Sequence, residues 1–207
     1  MDKFKKAGLY LVSSTEFSFK PSLDVISDFL EAGGTLFQLR EKDWTKDKFV
    51  EAGKRISSLS ERFDLLFILN DDPALALEIN ADGVHLGQND MSVSSAREIL
   101  GDDRIIGVST HDLDEAMKAV SDGADYINIG PVYLTNTKKG IQNISMDDVE
   151  MITSKINIPF TFMGGIKASN IGPLLKFNPS ALAMITELTM SDDIRATVKD
   201  ILKVIGK

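Results

Sequence analysis

Ile105-Ile-Gly-Val-Ser-Thr-His-Asp-Leu-Asp-Glu-Ala-Met-Lys-Ala-Val-Ser-Asp-Gly-Ala-Asp-Tyr-Ile-Asn-Ile129 contains one complete structural alternation. A short apolar run, Ile105–Val108, is followed by Asp112 as a capping residue. A segment of helical period, Leu113–Ser121, comes next, and then a second apolar run, Tyr126–Ile129. Short β-branched runs joined by a helix are the pattern of a βαβ unit in a buried parallel sheet.

The same unit recurs along the chain. Strands are expected at Gly8–Val12, Leu36–Leu39, Leu65–Leu69, Gly83–Leu86, Ile105–Val108, Tyr126–Ile129, Phe160–Met163 and Ala181–Ile185. Helices are expected at Ser22–Ala32, Lys46–Arg62, Pro73–Ile79, Val93–Leu100, Leu113–Ser121, Met146–Ser154, Ser169–Phe177 and Asp192–Ile205. Thr45, Asp72, Ser92, Asp112, Ser145 and Ser191 stand where they can accept hydrogen bonds from first-turn N–H groups. No linker or low-complexity tract interrupts the chain, so one domain over residues 1–207 is expected. Eight units favour a closed (β/α)8 TIM barrel, with a doubly wound open sheet as the alternative. At 207 residues the barrel is short, about 26 residues per unit, which leaves function to strand ends and loops.

Composition narrows the function. With 23 Lys+Arg against 31 Asp+Glu, the formal net charge is −8, which argues against a general nucleic-acid or anionic-membrane binder. There is no cysteine, so thiolate metal sites and cysteine nucleophiles are excluded. No apolar run approaches the ~18 residues of a membrane helix, and Gly8–Val12 reads as a strand rather than as part of a signal peptide. A cytoplasmic location is expected; oligomeric state is left open, a homo-oligomer included.

In a barrel, chemistry belongs at the C-terminal strand ends. Alternation puts Gln38, Arg40 and Lys42 on one side, an amide and two cations suited to an anionic ligand, unless the run is simply a strand entering a charged loop. Asp71 and Asp90, after adjacent strands, are hard-oxygen donors of the kind that hold Mg²⁺ together with substrate phosphates, although each alone also reads as a loop acid. Asp72, before Pro73, reads as a helix cap. Ser109 is a candidate ligand donor, His111 a supporting residue and His85 a packed histidine. The loop containing Thr135, Thr137 and Lys138 can grip phosphate oxygens, and Gly164-Gly165 lets backbone N–H groups approach a phosphate.

The ordered set Gln38-Leu-Arg-Glu-Lys42, Asn70-Asp71, Ala81-Asp-Gly-Val-His-Leu-Gly-Gln-Asn-Asp90, Gly107-Val-Ser-Thr-His111, Gly123-Ala-Asp-Tyr126, Gly130-Pro131, Thr135-Asn-Thr-Lys-Lys139 and Gly164-Gly-Ile166 resembles the thiamine phosphate synthase family from Gly8 to about Thr186. The resemblance implies a (β/α)8 barrel that joins hydroxymethylpyrimidine diphosphate to hydroxyethylthiazole phosphate, releasing pyrophosphate. It implies pyrimidine contacts at Gln38 and Ser109 and diphosphate ligands at Arg40, Lys42, Asn70 and Lys138. Mg²⁺ would lie on Asp71 and Asp90, and the thiazole phosphate on Thr135, Thr137, Gly165, Ile185 and Thr186. Arg40, Lys42 and Lys138 are the expected catalytic charges. The chain departs from the family's usual pattern at Asp72, Leu134, Gly140, Thr186 and Asn178-Pro-Ser-Ala181. The alternatives are a related thiazole tautomerase, in which His111 would move protons, and a non-catalytic module binding thiamine precursors or phosphate.

Overall fold

The strands are apolar on both faces, because each packs inward on the barrel axis and outward on helices. In a computed structural model, which describes residues 1–135, 137 and 142–207, they are β1 Gly8–Val12, β2 Leu36–Leu39, β3 Leu66–Asn70, β4 Gly83–Leu86, β5 Ile105–Thr110, β6 Tyr126–Ile129, β7 Phe160–Met163 and β8 Ala181–Met184. They close in sequence order into a wholly parallel barrel, with β1 paired to β8. The expected (β/α)8 barrel is the fold; closure leaves no free sheet edge.

Alternation sorts the side chains into two cores. Leu11, Phe37, Leu69, Ile106, Ile127 and Leu182 face the surrounding helices. Tyr10, Val12, Leu36, Ile68, Tyr126 and Ala183 fill the barrel interior. The short helix α1 (Asp2–Lys6), which carries no sequence signal of its own, sends Phe4 into that interior, and its ring lies 4.3 Å from that of Tyr126.

The outer helices are α2 Ser22–Glu31, α3 Lys46–Ser60, α4 Pro73–Glu78, α5 Val93–Leu100, α6 Leu113–Ser121, α7 Met146–Lys155, α8 Gly172–Leu175, α9 Thr186–Thr189 and α10 Ile194–Ile205. Five of the six expected caps accept the hydrogen bond three residues on: Thr45, Asp72, Ser92, Asp112 and Ser145. The sixth is displaced. Asp193, not Ser191, caps α10, accepting from Ala196 N at 3.0 Å, while the Ser191 hydroxyl bonds Thr197 and Asp193 N. Asp193→Ala should cost about 1 kcal/mol and lower the thermal midpoint by roughly 2–4 °C; a scan showing no shift would reassign the cap.

The seventh helix is the one most shortened. Ser169 and Asn170 belong to a loop in which Asn170 Oδ1 accepts from Lys167 N at 2.8 Å, and Asn178 turns to a left-handed φ of 54° just beyond α8. β8 also ends one residue early, so Ile185 stands at the entrance to α9 instead of in the strand.

Candidate active site

Two adjoining cavities open at the C-terminal ends of the strands. The first takes Arg40 from the end of β2, Ser109 and His111 from β5 and its exit, Asn128 from β6, and Thr135 and Thr137 from the following loop. Met163 and Gly164 close its far wall. The second shares Thr135, Thr137, Met163 and Gly164 and continues to Gly165, Ile185 and Thr186. All five residues expected at a thiazole phosphate therefore line one pocket.

The Gln38–Lys42 run is less regular than alternation predicts, because β2 ends at Leu39. Ser13 and Glu41 fix the segment beyond the strand. Arg40 N donates to Ser13 Oγ at 3.1 Å, and the Glu41 carboxylate accepts from Thr15 N at 2.9 Å, from Ser13 Oγ and from Ser22 Oγ. Glu41 thus turns back toward the loop after β1 and Arg40 reaches the cavity half-buried. Lys42 is exposed and is not among the residues lining either cavity.

Gln38 lies deeper, 1% exposed, at the head of a hydrogen-bonded chain inside the barrel. Its Nε2 donates to Tyr10 Oη at 2.9 Å, Tyr10 Oη lies 3.0 Å from Tyr126 Oη, and Tyr126 Oη lies 2.8 Å from His85 Nδ1. His85 Nε2 then lies 2.9 Å from Ser109 Oγ, at the cavity wall. With Gln38 donating, the remaining Tyr10 proton is best spent on Tyr126, whose own proton goes to His85 Nδ1. His85 then carries hydrogen on Nε2 and donates to Ser109, leaving the serine O–H to point at a ligand. Burial raises both tyrosine pKa values, so the phenols stay protonated. The expected packed, hydrogen-bonded role of His85 holds.

The two carboxylates follow β3 and β4 but line neither cavity, and Asp90 lines a separate pocket with Leu86, Glu115 and Lys118. Asp71 adopts a left-handed φ of 68° and its N–H donates to His85 O at 2.9 Å, tying the β3 exit to β4. Asp90 Oδ2 accepts from Gly87 N at 2.6 Å, and both acids are exposed. Asp72 caps α4, as its place before Pro73 implies. Asn70 is half-buried at the last position of β3. Lys138 lies outside the described residues. Among those described, no cluster of three or more His, Cys, Asp or Glu could hold a metal, and no helix is long and apolar enough to cross a membrane.

A family model described as thiamine monophosphate synthase matches residues 9–188. The chain belongs to this family. It is 38% identical over 205 residues to the thiamine-phosphate synthase of Dictyoglomus thermophilum, covering 98% of this chain and 92% of that one. It is 36% identical over 201 residues to that of Lawsonia intracellularis, covering 96% and 93%. Among solved structures, the thiamine phosphate pyrophosphorylase from Pyrococcus furiosus superposes with a TM-score of 0.89 at 31% identity, covering 98% of this chain and 97% of the other.

This thiamine monophosphate synthase family member also carries supports that its motifs do not announce. Tyr133 Oη donates to Asn170 O at 2.9 Å, and Asn170 Nδ2 donates to Gly165 O at 2.9 Å, bracing the Gly164-Gly165 turn. Gly165 has a left-handed φ of 61°, and a Cβ there would sit 2.4 Å from Leu134 O, so the close approach requires glycine. His111 lines the first cavity with Nδ1 2.8 Å from Glu115 Oε2, one helical turn on in α6. The i, i+4 spacing of His111 and Glu115 was the available sequence signal for that pair. The result is a cavity with a neutral, hydrogen-bonding floor and a cation at its rim, joined to a backbone-lined pocket. Two small polar molecules can be held side by side across the shared wall.

Proposed function

We propose that the chain is a thiamine phosphate synthase, coupling hydroxymethylpyrimidine diphosphate with hydroxyethylthiazole phosphate to give thiamine phosphate and pyrophosphate. The observation that carries this reading is the shared wall. One cavity bears Arg40 and Ser109, and the other bears Gly165, Ile185 and Thr186, with Thr135 and Thr137 common to both.

In this reading Ser109 and Gln38 serve the pyrimidine, Ser109 by direct donation and Gln38 through the tyrosine–histidine chain. Arg40, Lys42, Asn70 and Lys138 meet the diphosphate. Asp71 and Asp90 are hard donors too few to form a closed cage, which fits Mg²⁺, an ion that keeps waters and takes substrate phosphate oxygens. Bound there, Mg²⁺ would supply positive charge to the diphosphate. The bond between the pyrimidine methylene carbon and the diphosphate oxygen breaks, pushed by the exocyclic amine, and the electron pair leaves with pyrophosphate. The thiazole nitrogen lone pair forms the new C–N bond, so the protein needs no nucleophile of its own. Its work is to hold both partners in line, stabilise the departing charge and exclude water.

The test supplies both substrates with and without Mg²⁺ and follows thiamine phosphate and pyrophosphate. Metal-independent thiazole isomerisation without coupling would overturn the proposal in favour of a tautomerase. That second reading has one observation on its side, the His111–Glu115 pair at the cavity wall. His111→Asn separates the two: a synthase should lose less than about tenfold, whereas a tautomerase relying on it for proton transfer should lose about 10²–10⁴-fold.

A further inference from the structure

All three buried side-chain polar atoms that lack a hydrogen-bond partner among the described residues fall on one register pair in the sheet, Asn128 of β6 and Thr161 of β7. They are Asn128 Nδ2, Asn128 Oδ1 and Thr161 Oγ1. Asn128 is 3% exposed, and its donor and its acceptor are both unspent. An unsatisfied buried amide is costly, so its position needs a reason. Period 2 supplies the direction: Tyr126, two residues earlier, points into the barrel, so Asn128 does too, and it lines the first cavity. On its other side it pairs in register with Ser109.

We propose that Asn128 is a specificity-determining residue whose carboxamide reads the aminopyrimidine edge of the substrate. The inference rests on the proposed function and deepens it. An aminopyrimidine presents an exocyclic N–H donor beside a ring-nitrogen acceptor, and a carboxamide presents the complementary acceptor and donor in one plane. The same match lets Asn or Gln pair bidentately with adenine. The thiazole has no exocyclic amine, and the pocket of Gly165, Ile185 and Thr186 is lined without Asn128. Ser109, with its hydroxyl oriented by His85, stands beside the carboxamide as a second contact to the same ring.

The experiment measures binding by calorimetry, which requires no turnover. The pyrimidine diphosphate and an analogue with hydrogen in place of the exocyclic amine are titrated into the wild-type chain, Asn128→Ala and Asn128→Ser. Wild type should prefer the amine-bearing ligand by roughly ten- to a hundredfold, both variants should bind the two ligands within about threefold, and thiazole phosphate binding should be unchanged. Equal discrimination by wild type and variants would overturn the assignment alone. Failure of the wild-type chain to bind either pyrimidine would overturn it together with the proposed function. The ligand-free thermal midpoint gives a second arm. Because the Asn128 carboxamide has no hydrogen-bond partner among the described residues, neither variant should lower it, and a fall of several degrees would show a structural amide and overturn the proposal.

Discussion

Arg40→Ala should slow thiamine phosphate formation by about a hundredfold or more, the scale of removing one preorganised electrostatic contact from a transition state. The reaction concentrates negative charge on the departing pyrophosphate, and Arg40 is the described cation that lines the cavity beside Ser109. Its position is set by its backbone, through Arg40 N to Ser13 Oγ and through the Glu41 anchor, so truncating the side chain leaves the loop in place. The thermal midpoint should accordingly stay within a few degrees. Arg40→Lys keeps the charge but loses the planar fork and should recover only part of the rate. Asp90→Asn should act comparably where the proposed Mg²⁺ would bind, because asparagine can still accept from Gly87 N and spare the loop while removing the charge. Single-turnover rates at saturating substrates read both variants directly. Near-normal rates in the two would mean that the diphosphate lies elsewhere.

The parts legible in the sequence were those written in a period or a cap. Ile105–Val108, Asp112 and Leu113–Ser121 form a complete unit, and β5 merely runs on to Thr110. The five-residue α1 and the four-residue α9 escaped, since they are too short to show a helical period, and the expected Ser169–Phe177 helix shrinks to Gly172–Leu175. Ser191 was the expected cap, but Asp193 two residues on takes that place, because a bond to Thr197 within the same helix claims the serine. Strand ends located the site in outline. Its interior was hidden for a physical reason: when both faces of every strand are buried, period 2 does not say which face is the axis. Tyr10 and Tyr126 therefore read as ordinary core, and the chain from Gln38 to Ser109 could not be assembled. Asn128 is one polar residue in an otherwise apolar strand, and only its unpartnered carboxamide distinguishes it.

The same interior makes Gly107→Ala a strongly destabilising substitution. A Cβ at Gly107 would lie 2.0 Å from Tyr126 Cζ and 2.5 Å from Tyr126 Oη. The ring has nowhere to retreat, with Phe4 at 4.3 Å and Tyr10 at 6.4 Å between centroids. Overpacking of this kind costs about 1–3 kcal/mol. Moving the hydroxyl also strains its links to Tyr10 and His85, at about 1–3 kcal/mol for each buried group left unpaired. A total near 4 kcal/mol is a large share of the ~5–15 kcal/mol that holds a domain together. It should appear as a fall in thermal midpoint of roughly 10 °C. Tyr126→Phe separates the two contributions, since it keeps the ring, removes the hydroxyl and should fall by less than half as much. Adding Tyr126→Leu to Gly107→Ala should restore part of the midpoint but not the coupling rate, because His85 then loses the partner that orients its donation to Ser109. A midpoint for Gly107→Ala within about 2 °C of wild type, well inside the expected fall, would show that the Tyr126 ring is not confined, and the orientation of Ser109 would then need another cause.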